Sequence, residues 1–138
     1  MNEYRFSDLK IGTTESFEHT VTAEEMDLFL KISGDENPLH SDSNFAKAHG
    51  FSDRVVYGML SSSLVSTLGG MYLPGRYCII QQVELKFVAP VFVGDTLTVK
   101  GEVKELNESV QQAVMGVEIR NQDGKKVVRG KLFTGFLE

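Results

Sequence analysis

The chain of 138 residues contains one cysteine, Cys78, and therefore cannot form an internal disulfide. Its neighbours Ile79 and Ile80 indicate that Cys78 is a small buried side chain. Long apolar runs are also missing, since none approaches the roughly 18 residues that a transmembrane helix needs. The N-terminus lacks the basic start and the apolar stretch of an export signal. These absences predict a protein of the cytoplasm, or of a similarly reducing compartment, with no membrane contact.

Positive charge is scarce as well. The chain has 14 Lys and Arg residues against 19 Asp and Glu residues, for a net charge of -5. Because phosphate binding needs clustered cations, and only Lys125 and Lys126 are adjacent, no nucleic-acid partner is predicted. The 41% of hydrophobic and 24% of charged residues are typical of a globular protein. No repeat or linker appears, so residues 1–138 are predicted to form a single domain.

Two helices are predicted, with a short helical turn between them at residues 42–48. The first spans residues 22–33, where Thr22 and Glu25 can form a capping box and Gly34 is typical of a helix end. The second, from about Gly58 to Tyr72, has no charged residue and is therefore expected to be buried on most sides. It is rich in small residues that permit close packing, namely Ser61, Ser62, Ser63, Ser66, Thr67, Gly69 and Gly70.

The rest of the chain alternates between apolar and polar residues, which predicts β-strands. The predicted strands are residues 15–21, 79–89, 96–103, 113–119 and 126–137, with a hairpin turn at 121–124. The expected architecture is α+β, with a curved antiparallel sheet against one long buried helix.

A polar loop at residues 34–40 contains Asp35 and His40. Pro38 and the glycine that opens the loop are expected to keep it out of helix and to stiffen it. An Asp and a His, with ordinary pKa values near 3.9 and 6.5, can share one water or one substrate proton. Asn37 can hydrogen-bond nearby backbone and hold the loop. A structural polar turn after a helix explains the same residues about equally well.

Tyr57 and Gly58 come directly before the buried helix. The first amides of a helix lack partners and have a partial positive charge. Because Gly58 has no side chain, its N–H can approach a ligand carbonyl and act as an oxyanion hole. A glycine that only permits close packing of helix and sheet is the alternative.

Other sites fit these residues less well. Leu39 occupies a ligand position of the calcium-loop pattern, and Asp35, His40 and His49 lack the tight spacing of metal ligands. No G-x-S-x-G motif appears, so the serines of the second helix are expected to be packing residues. No metal and no cofactor are predicted.

Taken together, these segments resemble the MaoC-like, (R)-specific enoyl-CoA hydratase family, which has the hot-dog fold. The similarity covers nearly the whole chain. The segments with the strongest similarity are GDENPLH at residues 34–40, VVYGML at 55–60, LPG at 73–75 and FVAPVFVGDT at 87–96.

The resemblance implies a catalytic role for Asp35 and His40, which would hold and activate one water. That water would add to the β-carbon of a trans-2-enoyl thioester, with a proton delivered to the α-carbon on the same face. The N–H of Gly58 would polarise the thioester carbonyl. The substrate-binding residues implied are Asn37, which would also brace the loop, Tyr57 and Ser66. The family commonly has His-Gly where this chain has Tyr57-Gly58, so the glycine amide is retained.

The partners implied are an acyl-CoA or an acyl carrier protein thioester and a second copy of the chain, with the two sheets joined edge to edge. A basic rim for an anionic CoA is expected at Lys86 or Arg76. A hot-dog thioesterase is the alternative within enzymes, and a non-catalytic acyl-thioester binding module is the alternative outside them.

Overall fold

The fold is a five-stranded antiparallel sheet with its α-helices between the first two strands of the sequence. The computed structural model describes residues 1–137. The strands lie in the order β1-β3-β4-β5-β2, so β1 and β2 form the two edges. They are β1 (Thr14–Thr20), β2 (Cys78–Phe87), β3 (Thr96–Asn107), β4 (Gln112–Arg120) and β5 (Lys126–Phe136). The predicted α+β hot-dog architecture is confirmed.

Four helices separate β1 from β2. They are α1 (Ala23–Ser33), α2 (Pro38–Ser41), α3 (Ser43–Ala48) and α4 (Gly58–Thr67). A π-helical turn, Leu68–Tyr72, continues α4, so the predicted helix over residues 58–72 is confirmed. No helix within residues 1–137 is long and apolar enough to cross a membrane.

Small residues allow the α4 segment to lie close to the sheet, as predicted. A Cβ atom added at Gly101 of β3 would lie 3.0 Å from Leu68, which is fully buried. A Cβ atom at Gly69 would lie 3.2 Å from Sγ of Cys78. Cys78 is partly buried, and burial raises the pKa of its thiol to about 11. The thiol therefore stays protonated at neutral pH, which agrees with a packing role.

The capping residues of α1 fix where the polar loop begins. The Thr22 hydroxyl accepts a hydrogen bond from the Glu25 amide, and the Glu25 carboxylate accepts one from the Thr22 amide at 2.8 Å. At the other end, Gly34 adopts a left-handed conformation with φ 70° and donates its N–H to the Leu30 carbonyl. Both predicted signals are confirmed, and Asp35 leaves the helix at a defined point.

The prediction that Pro38 keeps the loop out of helix is wrong. Pro38 is the first residue of α2, and Asn37 caps this helix by accepting a hydrogen bond from the Leu39 amide at 2.9 Å. Proline suits the first helical position because its fixed φ is helical and its missing N–H would have had no partner there. His40 therefore lies on a helical turn, whereas Asp35 lies in the loop before it.

Candidate active site

Asp35 is held in place by hydrogen bonds between neighbouring residues. Its amide donates to the Ser33 hydroxyl at 3.2 Å, and its Oδ1 accepts from the Asn37 amide at 3.0 Å. The Asn37 side chain in turn accepts a hydrogen bond from the Leu39 amide, so these bonds continue along the loop from residue 33 to residue 39. The Asp35 side chain is exposed, and its Oδ2 makes no hydrogen bond within residues 1–137. That oxygen is free to bind a water or a substrate group.

The imidazole of His40 is oriented by the backbone of residue 55. Its Nδ1 lies 2.7 Å from the carbonyl oxygen of Val55. Because a carbonyl only accepts, the hydrogen is on Nδ1, and Nε2 of the neutral ring keeps its lone pair. A second bond, from the Val55 amide to the Leu39 carbonyl at 3.1 Å, ties the same two segments together. His40 therefore presents a proton acceptor at Nε2.

Four of the predicted site residues meet at one cavity. A space of about 220 Å³ is lined by Asp35, His40, Tyr57 and Gly58, together with Phe29, Met59 and Phe87. His40, Gly58 and Phe87 also line an adjoining cavity of about 410 Å³, whose other walls are mostly apolar. The polar end of the site thus opens beside a space suited to an apolar group.

Gly58 is the first residue of α4, and its N–H finds no acceptor among residues 1–137. The preceding residue, Tyr57, provides no side-chain cap. A Cβ atom at Gly58 would lie 3.1 Å from the ring of Phe87, which lines the same cavity. The lack of a side chain therefore both keeps the ring of Phe87 in place and leaves the amide open.

Tyr57 stands where the resemblance implies a histidine, and it is almost completely buried, with 3% exposure. Its hydroxyl donates to the backbone oxygen of Asp35 at 2.8 Å, and its ring stacks on His40 with centroids 4.2 Å apart. Burial, followed by the nearby Asp35 charge, raises the pKa of Tyr57. The phenol therefore remains a hydrogen-bond donor at neutral pH.

The structure does not bring Ser66 or Asn37 to this cavity. Ser66 lies in a separate groove of about 500 Å³ between α4 and β2, which Met59 and Phe87 also line. Asn37 caps α2 and braces the loop. His49 lies apart from both cavities, with its Nδ1 2.8 Å from the Phe45 carbonyl.

The expected basic rim is not at the mouth of the site. Arg76 pairs with Glu3 at 3.2 Å. Lys86 lines a hollow on the sheet together with Lys100, Lys104, Lys126, Arg129 and Lys131, and it lines neither cavity beside His40.

Sequence reasoning missed two polar groups of the site. Val55 orients His40 through its carbonyl, and a backbone contact leaves no signal in residue type. Ser61 is 2% exposed and lines the larger cavity, and its hydroxyl has no partner within residues 1–137. Its position three residues after Gly58 places both on one side of α4, which could have indicated it.

Residues 8–125 match the family described as MaoC like domain. The chain is 38% identical over 123 residues to the (R)-specific enoyl-CoA hydratase of Aeromonas caviae, covering 89% of this chain and 92% of that protein. It is 37% identical over 101 residues to the 3-hydroxybutyryl-CoA dehydratase of Methylorubrum extorquens, covering 73% of this chain and 64% of that protein.

Two solved hydratase structures have the same fold as this chain. The (R)-hydratase from Aeromonas caviae involved in PHA biosynthesis superposes with a TM-score of 0.89 at 36% identity, covering 94% of this chain and 98% of that one. An unliganded R-hydratase from Pseudomonas aeruginosa also gives 0.89, at 33% identity, covering 96% of this chain and 85% of that one.

Proposed function

The chain belongs to the MaoC-like family, and we propose that it catalyses the (R)-specific hydration of trans-2-enoyl thioesters or the reverse dehydration of (R)-3-hydroxyacyl thioesters. It is thus an enzyme of the hydro-lyase class. The observation that supports this most is the single cavity that Asp35, His40 and Gly58 line together. A carboxylate, a proton acceptor and an unpaired amide are the three groups that the reaction requires.

Asp35 and His40 would bind one water between them. Oδ2 of Asp35 accepts a hydrogen bond from the water, and Nε2 of His40 accepts its proton as the oxygen adds to the β-carbon. The imidazolium then returns that proton to the α-carbon on the same face of the substrate. Water is consumed, the carbon–carbon double bond becomes single, and both side chains return to their starting states.

Gly58 would stabilise the intermediate of this addition. As oxygen bonds to the β-carbon, negative charge moves onto the thioester oxygen, which becomes an enolate. The unpaired N–H of Gly58 stands at the positive end of α4 and donates a hydrogen bond to that oxygen. A preorganised donor of this kind contributes on the order of 10²- to 10³-fold to a rate.

Hydration of crotonyl-CoA, followed by loss of its enoyl absorbance, tests the proposal. We expect activity with an (R)-3-hydroxyacyl product, and a loss of most activity in Asp35→Asn and in His40→Ala. The matched control is His49→Ala, because His49 also directs Nδ1 at a backbone carbonyl but lies outside both cavities. His49→Ala should retain wild-type activity.

Two other outcomes of this assay would indicate a different function. Release of free thiol without hydration would show a thioesterase. Binding of acyl-CoA with no turnover of any kind would show a non-catalytic binding module. The choice between CoA and an acyl carrier protein is tested by assaying the same acyl group on both carriers.

We also propose that two copies of the chain join along β2. The exposed apolar residues of this edge strand are Ile79, Ile80, Val83 and Phe87, each at least 40% exposed. The other edge, β1, exposes Thr14, Ser16, Glu18 and Thr20. A second copy would cover the apolar edge and close the groove that contains Ser66, which is then suited to an acyl chain. A cytoplasmic location stays a prediction.

A further inference from the structure

Tyr57 contacts both of the proposed proton-handling residues. Its hydroxyl donates to the backbone carbonyl of Asp35 at 2.8 Å, across 22 positions of sequence. This bond ties the end of α1, where Asp35 emerges, to the residue that precedes α4. Since Asp35 is exposed and its other bonds are to neighbours in the chain, the Tyr57 hydroxyl is what fixes its backbone relative to the rest of the site.

The ring of Tyr57 supports His40 from one side. The two rings are stacked with centroids 4.2 Å apart and an interplanar angle of 30°. Phe29 lies beside Tyr57 with ring centroids 4.8 Å apart, so the tyrosine ring is itself confined. Together with the bond from Nδ1 to the Val55 carbonyl, this stack leaves the His40 imidazole one orientation.

The polypeptide then leads directly from Tyr57 to Gly58. The residue that contacts Asp35 and His40 therefore also precedes the amide proposed to bind the thioester oxygen. At 3% exposure, Tyr57 presents little of its own surface to the cavity. Its contacts go to the groups around the cavity, which is the arrangement of a support and differs from that of a substrate-binding side chain.

We infer that Tyr57 is a positioning residue that holds Asp35 and His40 at one fixed separation, an inference that rests on the proposed function. The hydroxyl sets the position of Asp35, and the ring sets the plane of His40. Two groups that must share a single water are sensitive to small displacements, because reacting atoms need to be placed within a fraction of an ångström.

The residue at position 57 matters because a histidine there could do only part of this. An imidazole can stack on His40, but it is shorter than a phenol and cannot reach the Asp35 carbonyl without a movement of the loop. In this chain the tyrosine supplies both contacts. Tyr57→His should therefore behave like a variant that keeps the ring and loses the hydroxyl.

Steady-state kinetics of crotonyl-CoA hydration separate positioning from binding. We expect Tyr57→Phe and Tyr57→His to lower kcat by 10- to 100-fold, on the order expected for misplaced catalytic groups. We expect KM to stay within about twofold, because neither variant removes a contact to substrate. The control is Tyr4→Phe, which loses a hydroxyl bond of the same 2.8 Å length, to Glu15, far along the chain from the site. Its kcat should equal that of the wild type.

The nitrogen resonances of His40 give a second readout that needs no substrate. In the wild type they should report one tautomer, with hydrogen on Nδ1. Tyr57→Leu removes the stacked ring, and we expect the two nitrogen resonances to move toward each other as the imidazole exchanges between tautomers, whereas Tyr4→Phe should keep the single tautomer. A purely structural role would lower the melting temperature of Tyr57→Leu and leave the single tautomer in place.

Each outcome decides the matter. An unchanged kcat in Tyr57→Phe, or a rise in KM with kcat constant, overturns the inference, and the second result would make Tyr57 a substrate-binding residue. If the wild type hydrates no thioester, the proposed function has failed, and the His40 resonances decide alone. A single tautomer that persists in Tyr57→Leu then overturns the positioning role, and exchange between tautomers supports it.

Discussion

At the scale of single residues, a backbone carbonyl determines which tautomer His40 adopts. A histidine in water exchanges between two neutral tautomers, and only the one with hydrogen on Nδ1 leaves Nε2 as an acceptor. The Val55 carbonyl, 2.7 Å from Nδ1, selects that tautomer. Val55 is 15 positions away, and any residue type offers the same carbonyl. That Asp35 and His40 lie at one cavity could be predicted from sequence, but the tautomer could not.

Gly58 can be tested by adding one methyl group. The Cβ of Gly58→Ala would lie 3.1 Å from the ring of Phe87, so the ring must move. The ring needs to move by only a few tenths of an ångström, so we expect the free energy of unfolding to change by less than about 1 kcal/mol. Because the methyl and the displaced ring crowd the cavity, kcat/KM for crotonyl-CoA should fall on the order of tenfold.

A double-mutant cycle checks this explanation. Phe87→Leu should restore part of the activity lost in Gly58→Ala, since the two changes act on one contact. Gly70→Ala is the control, because a Cβ there meets no atom within 4 Å. Equal losses in Gly58→Ala with and without Phe87→Leu would contradict the steric explanation.

At the scale of elements, α1 depends on the charge of its capping glutamate. Burial alone would raise the pKa of Glu25, but hydrogen bonds from Thr22 and His19 outweigh burial and hold the pKa below its usual value of 4.5. A carboxylate with a lowered pKa in the folded state stabilises the fold above its unfolded pKa. That contribution is lost as the pH falls through the lower, folded value.

Urea unfolding at several pH values measures this effect. Glu25→Gln should be less stable than the wild type at pH 7, and the difference should shrink progressively as the pH falls below about 4.5. Glu24→Gln, one position earlier on the same exposed first turn, is the matched control. A difference for Glu25→Gln that stays constant from pH 7 to pH 3 would contradict the assigned cause.

The elements that could be predicted are those specified by local signals. The capping box and Gly34 predict the ends of α1. The lack of charge predicts α4, and the alternation of apolar and polar residues predicts the strands. Helix α2 was missed because Pro38 was expected only to break a helix, although it also suits a helix start. The exposure of β2 could not be predicted either, because Val83, Leu85 and Phe87 alternate in the same way on a central strand and on an edge.

At the scale of the whole molecule, the unequal edges of the sheet predict how copies associate. Val83 lies in the middle of β2 and is 44% exposed, and the apolar residues around it continue into the groove beside α4. An unpaired apolar edge of this kind is a template for strand pairing.

Val83→Lys places a charge on this edge, and we expect it to convert a dimer into a monomer, as measured by light scattering during gel filtration. Activity should fall with it, and more steeply for longer acyl chains, because the groove that contains Ser66 then opens to water. Ser16→Lys on β1 is the matched control and should remain a fully active dimer. A wild-type protein that is monomeric, or a Val83→Lys variant that keeps the wild-type mass, would show that β2 is not the joining edge.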